Sequence, residues 1–415
     1  MRSRWMRSAT FGAVFVIALA LAPHASAAVL KVGTWVTPAQ WHELYGDQME
    51  AMQRALPHIE LDVIQIAAHG EYAGKILLLA ATGDLPDILH VPPEQAAPLA
   101  GALGVFENLE PWMARDPDFD VSAWLPPARE AITFQGVTFG IPAYVVNYAY
   151  AYNTEILAER GVEPPAPTEW PTWDQVRDIG RRATHDLDGD GVTDIWGYYH
   201  GLAFDFVLPL LYQMGGEIYD EEMRIRLDTP EMREAVNWLV DIVHNDRIHP
   251  PANSGIGRNG FYDQRIATMR FGSWEMNNVR NAGVPMAVSA GAQNRVKGEV
   301  AYVTTLGMTA GSRQKEAAWE FLKWITTVES QNYVVRRGRV PIRHDVEIPR
   351  DSGDLLNGLI LALSHARTYP YHIESDIITR MFNQSMNAVW LGNQPAETVL
   401  PELERSINAY LAQPR

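Results

Sequence analysis

The chain has 415 residues, 47% apolar and 20% charged, with a formal net charge of −16 and no cysteine. That length exceeds what one hydrophobic core serves and suits two lobes of ordinary globular structure. The acidity excludes nucleic acid as an expected partner, and the missing cysteine excludes disulfides and a lipid-modified cysteine behind an export signal.

Residues 1–27 read as a cleavable secretory signal. Arg2, Arg4 and Arg7 precede the apolar run 11–22, and Ala25, Ser26 and Ala27 form a small-residue exit. The periplasm is the expected location, with free secretion second, and a monomer is the expected state. After the first thirty residues no segment approaches the ~20 apolar positions of a membrane span.

The elements then follow in order. Residues 29–35 predict a strand, 41–57 a helix stopped by Pro57, and 59–66 a half-buried strand alternating apolar and polar positions. Residues 71–83 predict a helix closed by Gly83, and 86–91 another strand. Strands and helices alternating at this spacing predict a parallel α/β sheet. Farther on, Thr172 and Gln175 fit a capping box, and Thr229 with Pro230 fits an N-cap followed by proline at the first helical position. Ala317, Phe321, Ile325 and Val328 recur at helical spacing, with Ser312 as the expected cap.

Between two of these elements lies "THDLDGDGVTD", in which Asp186, Asp188, Asp190 and Asp194 surround Gly189 and Gly191. Calcium takes six to eight oxygens, and an EF-hand loop offers them at positions 1, 3, 5, 7, 9 and 12. Counted from Asp186, the loop supplies Asp186, Asp188, Asp190, the Val192 carbonyl and Asp194, but position 12 is Gly197. Structural calcium at these residues is one expectation; an acidic turn with no ion is the other.

Five blocks resemble one family in the correct order: "GDLPDILHV" (83–91), "FGIPAYVVNYAYAYNTEILAERGVEPP" (139–165), "LYQMGGEIYDEE" (211–222), "RIATMRFGSWEM" (265–276) and the stretch 317–346. Together they are similar to the sugar-binding, family-1 extracellular solute-binding proteins of ATP-driven importers. The resemblance implies an α/β fold of two lobes, of the class II periplasmic-binding type, each a mostly parallel sheet flanked by helices, with a ligand cleft between them. It implies a first lobe from 28–143 plus about 300–350 and a second from about 148–298 plus 355–415. Hinge crossings would fall near 143–148, 298–302 and 346–355.

Such a protein is not an enzyme and needs no cofactor. It captures a sugar or oligosaccharide and hands it by hinge closure to a separate membrane permease. The residues leave other solutes open, namely a polyol phosphate, a polyamine or ferric ion, the last because Tyr198 and Tyr199 are adjacent. A secreted glycosidase using two carboxylates is the remaining alternative.

Sugars are held by aromatic faces and by polar groups forked onto hydroxyls. Trp274 resembles the family's sugar-stacking tryptophan, and Trp35 and Trp41 stand at and beyond the end of the first strand. Glu94 follows the third strand, Tyr144 and Asn147 lie on the crossing segment, and Phe204, Asp205 and Arg339 complete the expected ligand set. Arg339 and Arg343 could reach a ligand or pair with the chain's many acids, and on so acidic a protein arginine is more often found in the second role. Val145 and Val146 on the crossing segment predict a more apolar pocket than relatives with aspartates there.

Overall fold

The computed structural model describes residues 27–102, 104–349 and 353–413. The expected export signal, save for Ala27, lies outside them, as does part of the expected third hinge crossing. No helix among the described residues is long and apolar enough to cross a membrane.

The strands in chain order are β1 (Ala28–Thr34), β2 (Ile59–Gln65), β3 (Ile88–Val91), β4 (Thr133–Phe134), β5 (Val137–Thr138) and β6 (Ile141–Val146). They continue with β7 (Tyr148–Asn153), β8 (Thr268–Gly272), β9 (Met286–Ser289), β10 (Glu299–Met308) and β11 (Ala366–Thr368). A six-stranded sheet runs β11-β10-β3-β1-β2, with β6 also on β10. Its β1 pairs parallel with β2 and β3, as the alternation of elements predicts. β10 returns antiparallel to β3 and β6, with a bulge at Thr304 and Thr305.

The second sheet differs from the expectation of a mostly parallel arrangement. It has three strands, β8-β7-β9, and both pairings are antiparallel. Helices from Thr154–Glu159 to Asn259–Tyr262 separate β7 from β8, and a connection of that length permits either strand direction, so the spacing of elements does not impose parallel pairing here. β11, at a place the sequence reading gave to the second lobe, pairs parallel with β10 of the larger sheet.

Two large apolar cores accompany the two sheets. One gathers Leu30, Val32, Ile141, Val303, Phe321 and Leu359; the other gathers Tyr150, Leu208, Leu239, Ile378, Phe382 and Leu400. The helices that cover them begin and end where local chemistry directs. Thr172 accepts from the Gln175 backbone at 3.2 Å while Gln175 accepts from the Thr172 backbone at 2.8 Å, and helix Trp173–Ala183 follows. Thr229 caps Pro230–His244 by accepting from Met232 N at 3.1 Å. Gly83 ends Tyr72–Thr82 at φ 76°, the left-handed conformation that glycine adopts without strain.

Two boundaries depart from the sequence reading. The first long helix starts at Pro38, three residues before Trp41, because Thr37 and Gln40 form a further capping box. The stretch from 315 splits into Lys315–Ile325 and Val328–Arg336. Thr326 and Thr327 donate to the Lys323 and Trp324 carbonyls at 2.8 Å, ending the first helix, and Thr327 then caps the second. Val328 is therefore exposed, and Ser312 donates to Asp87 instead of capping a helix.

Candidate functional site

A cavity of about 840 Å³ opens where the two sheets meet. The larger sheet contributes Trp35 beyond β1, Glu94 and Gln95 beyond β3, Tyr144 and Val146 of β6, and Tyr302 and Thr304 of β10. The smaller sheet contributes Tyr148 at the start of β7, and Ser273 and Trp274 beyond β8. Asp205 and Phe206 enter from helix Phe204–Gln213, and Asp376 and Thr379 from helix Ser375–Trp390. Residues beyond the carboxyl ends of parallel strands are where α/β folds place ligands.

Aromatic faces line much of it. Trp35 stacks on His90 at 3.9 Å between centroids and 20° between planes. His90 is wholly buried, bonded through Nδ1 to Thr34 at 2.9 Å and through Nε2 to the Tyr45 hydroxyl at 2.9 Å. Burial, and then the charge of Arg339, hold its imidazole well below the ordinary value, so it is a neutral support for the indole. Across the cavity Trp274 meets Tyr148 edge to face at 4.9 Å. Its indole folds back over Gly272, where an added Cβ would stand 2.4 Å from the ring. Beneath Tyr148, Arg270 lies 3.5 Å from the ring centre and pairs with Glu299. That buried pair joins β8 to β10, and so one sheet to the other.

The charged groups divide in two. Arg339 stands 4.8 Å from the Tyr144 ring, and its Nη1 is buried without a hydrogen-bond partner. Arg258 is tied to Glu275 at 2.6 Å. On the acidic side Glu94 lies 2.6 Å from His69, whose pKa that hydrogen bond raises. Burial first, and the charge of Glu94 second, push Asp205 up to about 7. Asp376 is raised for the same two reasons in the same order.

Of the sequence-selected residues, Trp274, Trp35, Glu94, Tyr144, Asp205 and Arg339 line this one cavity. Three do not, each because of side-chain direction. Tyr144, Val146 and Tyr148 share one face of the crossing strand, so Asn147 points the other way and donates to the Leu359 carbonyl at 2.6 Å. Phe204 turns from its helix onto Phe382, 5.2 Å away, while Asp205 and Phe206 face the cavity. Trp41 sits about 100° round its helix from Gln40, a cavity residue, and packs on Tyr45 at 4.4 Å. Arg343 pairs with Asp345 at 2.7 Å. Tyr198 is buried against Tyr150 and His200, and Tyr199 stacks on His249 at 5.2 Å; neither lines the cavity.

Sequence reasoning missed His69, Arg258, Tyr148, Phe206, Tyr302 and Asp376. Tyr148 was recoverable, since strand alternation from Tyr144 places it on the same face.

In the aspartate loop, carboxylate oxygens of Asp186, Asp188 and Asp194 lie within 4.8 Å of one another. Bonds of about 2.4 Å put two oxygens on opposite sides of one calcium ion at that separation. Asp190 is not in that group; it accepts from Val192 N at 2.7 Å. Asp186 also accepts from Gly191 and Gly189, both at 2.7 Å, which lowers its pKa and orders the turn by itself.

The sequence profile of the bacterial extracellular solute-binding proteins matches residues 39–332. The chain belongs to that family. Among relatives of this solute-binding protein, a maltotriose-binding protein of Pyrococcus abyssi is 24% identical, over 86% of this chain and 75% of its own. A mannitol-binding protein of Pseudomonas aeruginosa is 25% identical over 60% of this chain and 58% of its own. Among solved structures, a substrate-binding protein of Listeria monocytogenes in complex with cycloalternan aligns with a TM-score of 0.82 at 22% identity. That alignment covers 94% of this chain and 100% of the other, which establishes the two-lobe fold.

Proposed function

We propose that this solute-binding protein is the sugar receptor of an ATP-driven importer, exported to the periplasm. It would take an oligosaccharide into the cleft and present the closed form to a separate permease. The observation that carries this is a single cavity built by both sheets, with indoles from each, Trp35 and Trp274, and polar groups between them. The names of the relatives, maltotriose-, mannitol- and arabinooligosaccharide-binding proteins, support the substrate class. So does size, since the cavity lies in the upper part of the roughly 300–1,000 Å³ range of small-molecule sites. A ligand touching both lobes favours the closed form by its differential affinity for it. Family members are binding proteins, and capture without bond cleavage is the proposed activity.

A thermal-shift screen against mono- and oligosaccharides tests this. A bound sugar at 100 times its dissociation constant adds about 2.7 kcal/mol, and Trp274→Ala should reduce that gain. Silence across the sugars, with a response to ferric ion or a polyol phosphate, would overturn the reading. Structural calcium at Asp186, Asp188 and Asp194 is proposed alongside. EDTA should lower the melting point and calcium restore it; a melting curve indifferent to both removes the ion.

A further inference from the structure

We infer that His90 is a positioning residue of the cleft, present as the Nε2–H tautomer, and that through Tyr45 it makes the Tyr144 hydroxyl a donor to the bound sugar. The inference rests on the sugar-receptor reading and states which ligand atoms one corner of that site selects.

Five groups meet in a line behind the cavity wall. The Val36 amide donates to Thr34 Oγ1 at 3.3 Å. The same hydroxyl stands 2.9 Å from His90 Nδ1, and His90 Nε2 stands 2.9 Å from the Tyr45 hydroxyl. The Tyr45 hydroxyl in turn bonds with that of Tyr144, whose ring centre is 6.2 Å from its own. Thr34 and His90 are wholly buried and Tyr45 is 1% exposed, so the line is closed to solvent as far as Tyr144. Tyr144, on β6, lines the cavity.

Counting protons fixes the direction of these bonds. An amide only donates, so Val36 occupies an acceptor position on Thr34 Oγ1. The Thr34 proton then goes to His90 Nδ1, the other group on that hydroxyl. Burial, and then the charge of Arg339, keep the ring neutral, and a neutral imidazole carries one proton. That proton sits on Nε2 and goes to the Tyr45 oxygen. The Tyr45 proton passes to the Tyr144 oxygen, and the Tyr144 proton is left for the cavity. Reversing every bond would strand the Thr34 proton in a buried hydroxyl, a penalty that the forward direction avoids.

A second observation marks the same corner as one that gives protons. Arg339 stands 4.8 Å from the Tyr144 ring, and its Nη1 is shielded from solvent with no acceptor. A guanidinium has only protons to offer. A sugar atom placed here must therefore accept, as a ring or glycosidic oxygen does, or a hydroxyl presenting its lone pair. The face of the same imidazole carries Trp35, at 3.9 Å and 20°. One side chain thus sets both a stacking surface and a donor, which holds the two in a fixed relation before any sugar arrives.

Nitrogen NMR of the ligand-free protein labelled at histidine tests the direction, with His90 assigned by the signals lost in His90→Phe. Near neutral pH we expect Nδ1 to resonate as an unprotonated imidazole nitrogen and Nε2 as a protonated one. A proton on Nδ1, or on both nitrogens, would overturn the inference. Calorimetric titration with maltotriose tests the consequence. Tyr144→Phe should weaken binding about tenfold, and Tyr45→Phe, at a residue outside the cavity wall, about threefold or more. In a Tyr144→Phe background Tyr45→Phe should cost no further affinity, because it acts through that hydroxyl. Additive losses, or an affinity indifferent to Tyr144→Phe, would overturn the relay and leave the sugar receptor standing. Silence of maltotriose on the wild type would count against the receptor reading, and the nitrogen signals would still decide the relay.

Discussion

Replacing Asp205 with asparagine should make the ligand-free protein more stable, and increasingly so as the pH rises. Burial and the Glu94 charge push this carboxyl from 3.8 to about 7. Each pH unit between those values weighs about 1.4 kcal/mol, so ionising Asp205 in the folded chain costs at most about 4 kcal/mol. The group borders a cavity that admits water, which screens roughly half of that and leaves about 2 kcal/mol. The sign follows from proton binding. Between about pH 4 and pH 7 the folded chain holds a proton that the unfolded chain has lost, so this contribution to stability is complete below about pH 4. It is lost as the pH rises through about 7, whereas asparagine titrates nothing. Calorimetric melting of both proteins should therefore show a small difference near pH 5. By about pH 8 the variant should melt some 4–8 °C higher, at 2–4 °C per kcal/mol for a lobe of this size. A difference that does not grow with pH, or a wild type that melts higher at about pH 8, would refute the reasoning.

Two further outcomes concern the scaffold of the cleft. Glu299→Gln leaves the Arg270 guanidinium buried and uncompensated beneath Tyr148, and should cost about 3–5 kcal/mol in denaturant unfolding; a loss under about 1 kcal/mol would show that the pair is dispensable. Gly272→Ala puts a methyl group 2.4 Å from the Trp274 ring, far inside van der Waals contact. The indole should swing out, changing tryptophan emission and weakening sugar binding about tenfold, with little loss of melting temperature; unchanged affinity would free Trp274 of a role.

The sequence by itself carried what depends on neighbours along the chain. Thr172 with Gln175, Thr229 with Pro230, and Gly83 announced their helix boundaries, because caps and turns are settled within four residues. Ordered blocks gave the family, and with it Trp274 and Glu94. The break at Thr326 and Thr327 was legible in principle, since two hydroxyls there compete with the helix for its carbonyls.

Tertiary structure decided the rest. Whether β7 would pair parallel or antiparallel was open along the chain, because the helical segment between it and β8 is long enough for either direction. The register of that crossing strand gave Tyr144 and Tyr148 to the cavity and Asn147 to the Leu359 carbonyl, a difference of one residue that composition does not record. Glu94, Asp205 and Asp376 lie far apart in the chain, and no local pattern relates them. Only the packing of two lobes brings three carboxylates around one cavity, where low polarisability and mutual repulsion give them a chemistry that none has alone.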